Sequence, residues 1–170
     1  GPDVLPSLSS GAVDAAEWIC PAADLGAGLY QAAKYYYGPG WHEPSTLLDL
    51  SIDLASWEKL DSSTQGLVDD MTKSFNMTVF SRFQAANGPA LQKLLNEHNV
   101  QLKKFPDEVL IALGNAAGEV VSERGSINSE TKAICNHLLS FRKNIMDWST
   151  KGESEFARIR NLSFKYPDSV

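Results

Sequence analysis

Helical pattern is abundant in this sequence and strand pattern is scarce, and that imbalance limits the folds open to it. Among 170 residues, three short runs read as strands: Ala12 to Trp18, Leu47 to Asp53 and Asn99 to Lys104. About six helical stretches separate and follow them. Three short strands held so far apart make a poor sheet by themselves. The expected class is a helix-rich α/β fold whose strands complete sheets begun elsewhere. The sequence carries no internal repeat.

Spacing and punctuation locate the helices. Pro2 to Leu8 reads as a short helix ending near Ser9-Ser10-Gly11. Pro21 suits a first turn, where its missing amide costs no bond. It opens a helix through Gly26, Leu29, Ala33 and Tyr36 that stops at Gly38-Pro39-Gly40. Another short helix is expected at Leu54 to Lys59. Asp61 or Ser62 then caps a long one, whose apolar residues Leu67, Met71, Phe75, Val79 and Phe83, then Leu91, Leu94 and Leu95, fall at helical spacing. Gly88-Pro89 lies inside it, and proline both lacks the amide proton and crowds the preceding turn, so a kink or a break is expected there. Further helices are expected at Glu108 to Arg124, Ser129 to Trp148 and Glu153 to Asn161. Phe75, Phe80, Phe83, Phe141, Ile145 and Trp148 read first as core, with an oligomer surface as the alternative. Residues 1–162 then make one domain and 163–170 a frayed tail.

Composition narrows the function. The net charge is −6 and the 15 basic residues are scattered. Nucleic acid is therefore not expected, since phosphate neutralisation needs clustered Lys and Arg. The longest apolar runs fall far short of the roughly 20 residues of a membrane span. No leader pattern opens the chain, and it begins with Gly1-Pro2 rather than Met, so a processed, tagged or truncated segment is expected. Cys20 and Cys135 lack the spacing of a zinc site and read as free buried thiols, a bridge between them being the alternative.

Two segments carry chemistry. Gly11-Ala-Val-Asp-Ala-Ala-Glu-Trp18 places a carboxylate beside an indole. Tyr35-Tyr-Tyr-Gly-Pro-Gly-Trp-His-Glu-Pro44 gathers three tyrosines, a Trp, a His and a Glu around a stiff turn. Aromatics and carboxylates in nearby loops suggest a ligand cleft, the alternative being aromatics that cap a core. The histidines His42, His98 and His137 lie in separate segments, and there is no nucleophile elbow or phosphate loop, so no enzyme is expected. Glu17 and Glu43 suit a hard cation such as Na⁺ or Ca²⁺, which takes several oxygens from carboxylates, carbonyls and a ligand. A cation bridging Glu17, the Trp18 carbonyl and a substrate's oxygens would also supply countercharge to a buried carboxylate ligand. Glu43 accepting a hydrogen bond from a substrate hydroxyl is equally open. Trp41 and His42 precede Pro44 in an extended loop, and His42 is either a solvent-exposed turn residue or a ligand contact. Three consecutive tyrosines cannot share one helix face, and Tyr37, nearest the turn, is the candidate to reach the pocket.

These same segments, with Gly28-Leu-Tyr-Gln-Ala-Ala-Lys34 and Phe105-Pro-Asp-Glu-Val-Leu110, resemble the second half of a TRAP-transporter solute receptor of the DctP type, from about Pro2 to about Leu162. The subgroup they are most similar to captures 2-oxo acids such as pyruvate, or lactate. The resemblance implies the C-terminal portion of a two-lobed, type II-like periplasmic binding protein, with the front half supplying most of the first lobe. It implies a metal-bridged substrate at Glu17, Trp18 and Glu43, membrane permease subunits as partners, and a homodimer formed through C-terminal helices. It also implies a cleft arginine from the front half, a role that none of Arg82, Arg124, Arg142, Arg158 and Arg160 matches. The rival expectation is a helical dimerisation module without a small ligand.

Overall fold

The computed structural model describes residues 2–41 and 49–165. The chain divides into two compact units, Gly1–Pro106 and Asp107–Val170.

The first unit begins with α1 (Val4–Ser10), which ends at Gly11 in the left-handed region (φ 72°), where a side chain would be strained. Helix α2 (Pro21–Gly26) is followed by a 3₁₀ turn at Leu29–Gln31. Gly28, at φ 71°, makes the reversal between them. That turn corrects the expectation of one helix from Pro21 to Tyr36. The tyrosines lie instead on a strand, β1 (Tyr35–Gly38), because a partner supplies ladder bonds to them. The partner is β2 (Gln101–Lys104), parallel to β1 and in register from Tyr35 opposite Gln101 to Gly38 opposite Lys104. Parallel strands need a long crossover. Here it contains α3 (Leu54–Trp57) and α4 (Ser62–Asn96).

Helix α4 starts where Asp61 accepts the Thr64 amide at 2.9 Å and the Thr64 hydroxyl at 2.8 Å. It runs unbroken through Pro89, so the expected break does not occur. One lost backbone bond is outweighed by packing just beyond it, where Ala90 and Leu94 are buried. With Val100 they are the buried apolar side chains among the described residues. Asn99, at φ 55°, turns the chain from α4 into β2. The Ala22 amide at the start of α2 donates to Asn87 Oδ1 of α4 at 3.1 Å, pinning the two helices together.

Two expected strands do not form among the described residues. From Ala12 to Trp18 no strand pairs with the chain, and its flanking amides are used elsewhere. Ala12 and Val13 donate to the Ser7 carbonyl at 3.0 and 3.4 Å, and Ile19 and Cys20 donate to a side chain of α2. Residues 49–53 are irregular, with Asp53 committed to capping α3 through the Ser56 amide at 2.9 Å. Leu47 and Leu48 lie outside the described residues.

The second unit is α5 (Asp107–Gly125), α6 (Ser129–Lys151) and α7 (Glu153–Arg160). A capping box starts α6, in which Asn128 Oδ1 accepts the Thr131 amide at 2.9 Å and Thr131 Oγ1 accepts the Asn128 amide at 3.2 Å. Within this chain the large apolar residues expected in the core are not covered by either unit. Phe75 is 62% exposed, Phe141 59% and Trp148 64%, with Phe80, Phe83 and Ile145 also exposed. Each of these side chains lies on a helix face that its own unit does not cover.

Candidate functional site

The site begins in the segment between α1 and α2. This stretch has no ladder to hold it, so its direction is set at its ends. At the far end a single carboxylate does the work. Asp24 Oδ1 accepts the Ile19 and Cys20 amides, each at 3.2 Å, and Oδ2 accepts the Tyr36 hydroxyl at 2.5 Å. Asp24 is only 7% exposed, and its three donors carry the hydrogen bonding that a buried carboxylate requires. Burial, then the hydrogen bond to Asp24, pushes the Tyr36 phenol well above the ordinary tyrosine range, so the proton stays on tyrosine.

Glu17 and Trp18 sit immediately before this tie, Glu17 exposed and Trp18 half-buried. Both line a groove of about 620 Å³ whose walls also include Tyr35, Tyr37, Trp41 and Phe105. Strand alternation places Tyr35 and Tyr37 on one side of β1 and Tyr36 on the other. Tyr37 lies 5.0 Å from Phe105, ring to ring, and the Lys103 ammonium lies 5.8 Å from the centre of the Tyr35 ring. The Gly38–Pro39 peptide that leads from β1 toward Trp41 is cis.

Of the residues singled out in the sequence, Glu17, Trp18, Tyr37 and Trp41 line this one groove. His42 and Glu43 lie outside the described residues. Tyr37 does so from a strand rather than from the expected helix. Asp24, Tyr36 and Lys34 also line the groove and escaped sequence reasoning. A carboxylate four positions after Cys20, across a proline-started first turn, was the available signal for Asp24. Three tyrosines read with period two would have revealed Tyr36.

The donor chemistry suits a hard cation. The Glu17 carboxylate and the Trp18 carbonyl offer oxygens from adjacent residues beside the groove. Among the described residues no three His, Cys, Asp or Glu side chains converge as a metal cage. A cation here would need further oxygens from Glu43, water or a ligand. None of the described helices is long and apolar enough to cross a membrane.

Comparison with known proteins identifies the class to which this helix-rich α/β fold with its aromatic and acidic groove belongs. The chain belongs to the bacterial extracellular solute-binding proteins of family 7, the DctP family, whose model matches residues 2–126. It is 31% identical over 163 residues to a monocarboxylate 2-oxoacid-binding periplasmic protein of Nostoc sp., an alignment covering 96% of this chain and 44% of that protein. A TRAP-transporter solute-binding protein of Bordetella bronchiseptica, a mixed-occupancy dimer with calcium and picolinate in the active site of one copy, superposes with a TM-score of 0.83 at 29% identity, covering 94% of this chain and 47% of the other. A TRAP periplasmic solute-binding protein of Pseudoalteromonas atlantica with bound sodium and pyruvate gives a TM-score of 0.83 at 25% identity, covering 95% and 48%. The chain thus spans about half the length of the relatives it matches.

Proposed function

We propose that this chain supplies one portion of a periplasmic TRAP-transporter receptor that captures a small monocarboxylate, a 2-oxo acid such as pyruvate, or lactate. The observation that carries the reading is the convergence of Glu17, Trp18, Tyr37 and Trp41 on one groove. The pyruvate and picolinate bound by the two structural neighbours support the ligand class, since each pairs a carboxylate with an adjacent donor atom.

In this reading Glu17, the Trp18 carbonyl and Glu43 hold Na⁺ or Ca²⁺. The Trp18 ring, Trp41, His42 and Tyr37 enclose the substrate, and Glu43 has the further option of accepting a substrate hydroxyl. A bound cation supplies the countercharge that a carboxylate needs when it leaves water. Closure of the cleft around the ligand follows from contacts that exist only in the closed state, and the closed form is what permease subunits would recognise. Nothing in the proposed role requires turnover, so the protein acts by binding and not as an enzyme. Residues 1–162 serve this role as one functional portion. The exposed faces carrying Phe141, Trp148 and Phe156 on α6 and α7 support a homodimer through C-terminal helices. The dimeric neighbour points the same way.

Glu17→Gln tests the assignment. It keeps the shape and removes the charge, and in the full-length polypeptide it should weaken pyruvate binding in calcium by at least about tenfold. Unchanged affinity by calorimetry would remove Glu17 from the site.

A further inference from the structure

Asp24 stands outside the proposed ligand set, yet it touches the segment that carries it. The carbon of the Trp18 carbonyl and the nitrogen of Ile19 belong to one peptide unit. That unit is planar and trans, so its C=O and N–H point in opposite directions. Asp24 Oδ1 accepts the Ile19 N–H at 3.2 Å and the next amide, from Cys20, at the same distance. Holding the N–H fixes the direction of the Trp18 oxygen. An anion on the N–H end also draws the peptide's polarity toward its oxygen and makes that oxygen a stronger ligand for a cation.

The carboxylate is itself held in place. Tyr36 donates its hydroxyl to Oδ2 at 2.5 Å from β1, and α2 is pinned to α4 through Ala22 and Asn87 at 3.1 Å. Among the described residues no Lys or Arg forms an ion pair with Asp24. A buried carboxylate without a cationic partner is a costly choice if a neutral asparagine could tie the loop equally well.

We propose that Asp24, oriented by Tyr36, is a positioning residue that aims and polarises the Trp18 carbonyl for a hard cation. This rests on the cation-assisted reading above and adds to it the group that sets the strength of the carbonyl ligand.

The test uses the full-length polypeptide with Asp24→Asn, in which the amide oxygen can still accept the Ile19 and Cys20 amides, the amide nitrogen can donate to the Tyr36 oxygen in place of accepting from it, and the charge is gone. In metal-free protein the ¹³C resonance of the Trp18 carbonyl should move relative to wild type while the melting temperature is retained. Calcium affinity measured at saturating pyruvate should fall about tenfold. An unmoved carbonyl resonance, or wild-type calcium affinity in the variant, overturns the inference while leaving the receptor reading intact. Absence of calcium-dependent binding in the wild type instead overturns the cation's part in the receptor reading and takes this inference with it, whereas absence of any pyruvate binding overturns the receptor reading itself. If Asp24→Asn does not fold, Tyr36→Phe carries the test, since it removes one hydroxyl and leaves the carboxylate on the loop. A few-fold loss of calcium affinity is then expected, and no loss overturns the proposal.

Discussion

The residue that ties the candidate site together lies outside the proposed ligand set. Asp24 joins the Glu17–Trp18 segment to β1 by dividing its two oxygens between backbone amides and the Tyr36 hydroxyl. Burial of the Tyr36 phenol, together with its bond to Asp24, has a consequence for stability. The folded phenol holds its proton above the pH at which an unfolded tyrosine, near pH 10, releases it. The native state then binds more protons than the unfolded state, so this contribution is intact below about pH 10 and is lost as pH rises beyond it. Urea midpoints measured from pH 8 upward should therefore fall above about pH 10 in wild type, and less steeply in Tyr36→Phe. Parallel curves would show that Tyr36 is not held protonated.

At the scale of elements, caps and packing decide more than propensity does. The capping box at Asn128 and Thr131 begins a helix with little burial of its own, so its hydrogen bonds weigh heavily. Asn128→Ala should cost about 1 kcal/mol, read as a lower urea midpoint at unchanged slope. The helices after residue 100 were legible in outline, α5 ending at Gly125 next to the expected Arg124, while α6 runs past the expected Trp148 to its cap at Gly152. The strands were less so. Asn99 to Lys104 was found, and β2 occupies its last four residues, Gln101–Lys104. Ala12 to Trp18 has the alternation of a strand but no partner among the described residues, and pairing is a tertiary fact that a local pattern does not hold. Tyr35 to Tyr37 failed in the opposite sense, since helical continuity from Pro21 hid both the Gly28 reversal and the partner strand 66 residues on. The candidate site was readable as two motifs, Glu17-Trp18 and Tyr37 with Trp41. The Asp24 tie that joins the first motif to β1 was not, because it depends on a hydrogen bond between side chains brought together only by folding.

At the scale of the molecule, exposure is the dominant fact. Large apolar side chains on α4, α6 and α7 lie open, while the buried apolar residues described are Ala90, Leu94 and Val100. Surfaces of this kind belong against another surface. The chain spans about half the length of its relatives, and one structural neighbour is a dimer. If α6 forms the proposed dimer contact, Phe141→Asp in the full-length polypeptide should shift the sedimenting species toward the monomer. An unchanged mass would place the contact elsewhere. The receptor reading turns on a separate property, a carboxylate captured with the help of a cation.

The most direct measurement of that property is calorimetric titration of the full-length polypeptide with pyruvate, first in calcium and then after chelation with EDTA. The receptor account predicts saturable binding at one site per chain in calcium, and binding weakened by at least about tenfold once the metal is removed. Equal affinity in both conditions would contradict the cation's role. No binding of pyruvate or lactate in either condition would contradict the receptor assignment itself.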